Sequence, residues 1–187
     1  MAPSLSGLWI WRHPRPLNAS GLCIGQTDLG VDKRRAKRLA FRILDVIRRE
    51  QLPRQIWTSP LARGALVGQA LARYGIEHRM DWDLAELNFG QWEGRYWSDI
   101  SRSEFSAWER DFTRYAPGGG ESVFMLIARV RAFLQRAPNP CMVVGHAGWI
   151  NSLEYLDGKA PTADRWPASV NHGHLRRWPA LADNRIT

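Results

Sequence analysis

Two short apolar runs in this chain each finish on a histidine. Leu8-Trp9-Ile10-Trp11 leads into Arg12-His13, and Met142-Val143-Val144-Gly145 leads into His146. Apolar runs of this length, set between helical patterns, suit strands covered on both faces, and such strands belong to parallel sheets. In an open α/β sheet the ligand crevice lies beyond the carboxyl ends of the strands. Two strands ending this way would aim both imidazoles at one point, a demanding arrangement for a plain core.

The segments between them fit that reading. Residues 30–50 place Ala36, Leu39, Ala40, Ile43 and Ile47 three and four apart, the spacing of an amphipathic helix, and Asp32 is placed to cap its start. QIWTS (55–59) reads as a strand, residues 60–75 as a helix stopping at Gly75, and HRMDWDL (78–84) as an edge strand. A loop rich in Gly and aromatics follows, then a helix over 103–112 and the glycine cluster APGGGES (116–122), read as a turn or a mobile loop. Residues 122–137 predict a strong helix capped by Ser122 or Glu121, residues 149–158 a helix closed by Gly158, and residues 169–178 a final strand. Strands alternating with helices imply an α/β fold, a three-layer α/β/α sandwich with a mostly parallel sheet and helices on both faces. No repeat or long linker divides the chain, so 1–187 is expected to form one domain, with an insertion around 88–121.

Composition narrows the partners. The net charge of +8 favours anionic ligands, and the densest basic run is DKRRAKR (32–38). Those cations decorate one face of a helix whose other face is core, so they read as a solvated face, and no nucleic-acid or membrane partner is expected. Cys23 and Cys141 lie far apart, which suits reduced thiols. The start, MAPSLSG, lacks a basic signal-type segment, and no apolar run approaches a membrane span, so a cytoplasmic protein is expected. Ten tryptophans exceed what one core of this size buries, so several should rim a cleft or a dimer face.

The strand ending at QIWTSP (55–60) stops just before Arg63, near a helix start, and Arg12 precedes His13. Two guanidiniums, two imidazoles and a helix end converging on one point suit a tetrahedral phosphate dianion. Glu86 lies among apolar and aromatic residues in LAELNFGQWEG, surroundings that suit a carboxyl carrying a proton, and Glu93 is the rival acid, its Gly-rich turn pointing to a structural place. His172 and His174, in HGH, are the one metal-like pair; a strand would put them on one face, but no third ligand accompanies them. No metal or other cofactor is expected.

Four motifs in order resemble the histidine phosphatase superfamily, the phosphoglycerate mutase-like fold: WRHPRPLNASGL (11–22), TSPLARGALVGQAL (58–71), LAELNFGQWEG (84–94) and VVGHAGWI (143–150). The resemblance covers residues 8 to 178, and GLCIGQTDLGV (21–31) looks most like members of the α-ribazole phosphatase type. The resemblance implies that His13 is the nucleophile that becomes phosphorylated. It implies that Arg12, Arg63 and His146 hold the phosphoryl group and that Glu86 donates the proton. Asn18, Gln26 and Ala147 are implied to bind phosphate or substrate, and the insertion around 88–121 to be a specificity cap. The sequence departs from the family pattern at Pro14 and Arg15, where Gly and an acid are usual, and at Gly64 and Val67, where Ala and Thr are usual.

The implied activity is metal-independent hydrolysis of a small phosphorylated metabolite, with α-ribazole 5′-phosphate as one candidate and a homodimer as one possible assembly. The alternatives are a mutase that returns the phosphoryl group, for which the chain is short; a basic nucleic-acid-binding module, for which no motif is present; and a silent scaffold, against which the intact key residues argue.

Overall fold

The Asp32 side chain caps the first long helix, accepting hydrogen bonds from the amides of Arg34 and Arg35. That helix, α1, spans Lys33–Arg49 and buries the predicted stripe together with Leu44. Each buried Leu or Ile of the stripe contributes about 1.5–3 kcal/mol. The protein is described by a computed structural model over residues 6–179; the ends of the expected 1–187 domain lie outside the described residues.

The strands are β1 (Leu8–Arg12), β2 (Gln55–Thr58), β3 (Glu77–Met80), β4 (Cys141–Gly145) and β5 (Leu175–Trp178). They form one sheet in the order β3-β2-β4-β1-β5. β1 pairs parallel with β4 and β4 with β2, so the strands ending before His13 and His146 are adjacent and lie inside the sheet. β5 closes the edge antiparallel to β1.

Alternation along β1 sorts its side chains. Trp9 and Trp11 pack with α1 and with α2 (Ala62–Ala72) on one face. Leu8 and Ile10 pack on the other with α4 (Val123–Arg136) and α5 (Ala147–Ser152). The result is the expected sandwich. Val67, one of the departures, is wholly buried in the first of these cores, where a methyl packs at no polar cost.

Three expectations shift locally. The edge strand ends at Met80, because the Asp81 carboxylate takes the Asp83 amide and starts a 3-10 turn over Trp82–Leu84. The last predicted helix begins earlier, at Ala147, and tightens into a 3-10 turn at Leu153–Tyr155. The HGH segment is a turn and no strand: Gly173 has φ 73°, so His172 and His174 do not share a face.

The stretch from 88 to 121 holds three short 3-10 turns and α3 (Arg102–Arg110), whose Ser101–Glu104 capping box closes its start. The glycine cluster packs tightly. A side chain at Gly118 would meet the Phe89 carbonyl at 2.2 Å, and one at Gly90 would meet the Gly118 carbonyl at 2.3 Å. Glu121 N–H donates to the Asn88 carbonyl at 2.7 Å and ties the two segments together. Ser122 caps α4, and Glu121 instead pairs with Arg129 at 2.6 Å.

Candidate active site

The carboxyl ends of β1 and β4 open into a cavity of about 660 Å³. Arg12, His13, Arg63 and Glu86 line one end. The opposite wall is aromatic and apolar: Phe89, Trp97, Trp108, Phe112 and Trp166. Three of the ten tryptophans thus rim the cleft, as the sequence led us to expect.

His13 is buried, and its Nδ1 lies 2.7 Å from the Pro14 carbonyl. A carbonyl accepts only, so Nδ1 carries the hydrogen and Nε2 keeps its lone pair. Burial, and then the charge of Arg63, hold this imidazole well below its ordinary pKa. The departure at Pro14 therefore leaves intact the one backbone group that sets the tautomer.

Arg63 is almost fully buried on the first turn of α2. Its guanidinium donates to the carbonyls of Thr27, at 3.0 Å, and Gly25. Those carbonyls are placed by Glu93, whose carboxylate accepts from the amides of Gly25, Gln26, Thr27 and Phe89 and from the Thr27 hydroxyl. Burial works to raise the Glu93 pKa, but these bonds outweigh it and hold it low. Its structural place, read from the Gly-rich turn, is correct. Gly64 leaves room for the usual Ala, since a Cβ there would meet nothing closer than 3.5 Å. The first amide of α2 does not point free at the cavity; Asp28 takes the Ala62 N–H at 2.7 Å.

Arg12 donates to the Val170 carbonyl at 2.6 Å, and its Nε is buried without a partner. Burial lowers its pKa, and Glu86 works against that.

Glu86 is held from two sides. Oε1 accepts from its neighbour Leu87 N–H at 2.9 Å, and Oε2 from Gly148 N–H at 3.1 Å. A side chain at Gly148 would strike Oε1 at 2.4 Å, so the Glu86 carboxylate would have to move from this position. Arg129 braces this loop from α4, donating to the carbonyls of Asp83, Ala85 and Glu86 while paired with Glu121.

His146 is wholly buried, with ring centroid 4.9 Å from that of His13. Its Nε2 meets the Ser59 hydroxyl at 2.7 Å, and Nδ1 is buried without a partner. Burial, and then His13, hold its pKa well below 6.5. A charged His146 is therefore replaced, in the free protein, by a neutral one that still has a hydrogen to offer.

Ala147 lines the cavity, but Asn18 and Gln26 do not, and His146 lies buried behind its lining. Asn18 is exposed, in the left-handed region at φ 54°. Gln26 turns inward beneath the site, donating to the Glu86 carbonyl at 3.1 Å. His172, weighed from sequence only as half of a metal-like pair and set aside, is the cavity residue that sequence reasoning missed. It lines the cavity 5.3 Å from His13, and its Nδ1 lies 3.1 Å from the His13 carbonyl. Burial, then Arg12, push its pKa down to about 4. Arg129 and Ser59 were also unmarked, because a mid-helix arginine and a strand-end serine carry no local signature. Among the described residues, no three His, Cys, Asp or Glu side chains gather as metal ligands.

The Histidine phosphatase superfamily (branch 1) pattern matches residues 8–176. The chain belongs to this superfamily. A relative from Salmonella typhimurium, an adenosylcobalamin/alpha-ribazole phosphatase, is 26% identical over 182 residues, covering 89% of this chain and 86% of its own. A glucosyl-3-phosphoglycerate phosphatase from Mycobacterium tuberculosis is 29% identical over 185 residues, covering 84% and 82%. The crystal structure of the alpha-ribazole phosphatase from Shigella flexneri superposes with TM-score 0.72 at 25% identity, over 90% of this chain and 87% of that one. These likenesses support a histidine-type phosphatase with the phosphoglycerate mutase-like fold. No helix among the described residues is long and apolar enough to cross a membrane.

The three depressed histidines of the site link folding to pH, as does His78 outside it, which burial also lowers. An unfolded histidine takes a proton near pH 6.5, whereas His13, His146 and His172 resist it when folded. Below pH 6.5 the unfolded state binds more protons, so stability falls as pH falls, His172 ceasing to contribute below about 4. Thermal melts between pH 7.5 and 4.5 should show Tm dropping through this window. His172→Gln should flatten the slope; an unchanged slope would refute the assignment.

Proposed function

We propose that this chain hydrolyses small phosphomonoesters, without a metal, through a phosphohistidine on Nε2 of His13. The observation that carries this reading is the Pro14 carbonyl on Nδ1 of His13, which leaves Nε2 as a neutral nucleophile inside a cationic pocket. Arg12 and Arg63 spread their charge over the equatorial oxygens, and the His146 ring, 4.9 Å from that of His13, adds a donor. Nε2 forms a bond to phosphorus as the bond to the alcohol oxygen breaks. Glu86 delivers its proton to that oxygen. The phosphorylated ring is cationic, and the Pro14 carbonyl accepts from its remaining N–H. The Glu86 carboxylate then takes a proton from water, whose oxygen attacks phosphorus and releases His13.

The aromatic wall formed by the 88–121 segment and Trp166 would select the alcohol. A leaving alcohol that carries a flat heteroaromatic ring, as the ribose of α-ribazole 5′-phosphate does, suits stacking against Trp97, Trp108 and Phe112 better than a sugar acid does. Among the described residues, the only cavity-lining cation away from the phosphate end is Arg15. The test is phosphate release from a panel of both kinds of ester, with and without a chelator. Release unaffected by chelator, with the ester whose alcohol carries the heteroaromatic ring preferred in kcat/KM, is the expected result. Activity abolished by chelator, or equal use of both esters, would overturn the corresponding half.

A further inference from the structure

Helix α1 carries nearly all of the protein's excess charge. Eight of its seventeen residues are Lys or Arg and one, Asp45, is acidic, so it holds +7 of the chain's +8. All eight cations are exposed, and six are arginines. A merely solvated helix face interleaves both signs. This one instead forms a ridge about 25 Å long, at 1.5 Å per residue, where self-repulsion is tolerated.

An apolar strip runs beside the ridge. A groove of about 340 Å³ between α1 and α2 is lined by Leu66, Ala70 and Tyr74, with Lys33, Lys37 and Arg73 at its border. Phe41 and Tyr74 are both 40% exposed, with ring centroids 5.3 Å apart, and Lys37 Nζ sits 5.5 Å over the Phe41 ring. The outward side of α2 adds no acid, since its only ionisable residue is the buried Arg63. A polyanionic nucleic acid would use the ridge and leave the groove and ring pair idle. A phospholipid surface would use both, phosphates on the cations and apolar groups against the rings.

We propose that the α1–α2 face is a peripheral docking surface for an anionic lipid bilayer, against the expectation from sequence that this face is only solvated. The docked face adjoins the catalytic mouth: Pro16 of the cavity rim bridges Val31, the residue before the Asp32 cap.

Co-sedimentation of the full chain with vesicles tests this. Vesicles of phosphatidylcholine containing a third phosphatidylglycerol should bind it, pure phosphatidylcholine should not, and about 0.5 M salt should release it. R34Q/R38Q should weaken partitioning about 30-fold, equivalent to about 1 kcal/mol per cation. F41S/Y74S should weaken it further without changing the salt dependence. Both variants should keep the wild-type rate of phosphate release, which also certifies folding. No preference for anionic vesicles, full binding by F41S/Y74S, or displacement by duplex DNA well below the phosphate concentration of competing vesicles would each overturn the proposal, the last assigning the ridge to nucleic acid.

Discussion

Replacing His13 by Ala should lower phosphate release by at least about 10⁴-fold, because the nucleophile belongs to a cooperating set and its removal deletes the covalent route. Binding should survive. Arg12 and Arg63 are anchored on the carbonyls of Val170, Thr27 and Gly25, none of which depends on the His13 side chain. Inorganic phosphate should therefore compete with substrate at an affinity within a few-fold of wild type, while kcat collapses. Rapid acid-free quenching of the turning-over wild-type protein should trap a phosphoryl group on residue 13, stable to base and labile to acid. A variant that kept turning over within tenfold of wild type would remove the phosphohistidine from the mechanism.

Glu86→Gln should be the next most damaging change, and its effect should depend on the leaving group. For an alkyl phosphate, whose alkoxide leaves only with a proton, we expect a loss of about 10²–10⁴-fold. For 4-nitrophenyl phosphate, whose phenolate leaves unaided, the first step should be nearly preserved. Nitrophenolate should then appear as a burst followed by slow turnover, because the carboxylate that activates water is gone. The amide cannot accept from both Leu87 N–H and Gly148 N–H as the carboxylate does. A melt alongside the kinetics separates lost chemistry from a loosened loop. Equal losses on both esters, without a burst, would take the proton-donor role from Glu86.

The motif residues were legible because the chemistry shows in sequence order. Strand periodicity placed His13 and His146 at strand ends, and the parallel pairing of β1 with β4 brought the rings to 4.9 Å. Arg63 was legible beside a helix start, though its carbonyl anchors were not. Asn18 and Gln26 were taken with the nucleophile's loop, yet that loop sends one outward and the other beneath Glu86. A loop's direction depends on what its backbone bonds to, here the Glu93 carboxylate 67 residues away from Gln26.

From sequence alone came the sandwich, the cap of α1, the four motifs and the excess of positive charge, all properties of short windows read against helical and strand periods. The tautomer of His13, the arrival of His172, the Arg129 brace on Glu86 and the pairing of a cationic ridge with an apolar groove were decided only by folding. Each joins groups distant in the chain, or depends on which way one carbonyl points, and periodicity carries no information about either.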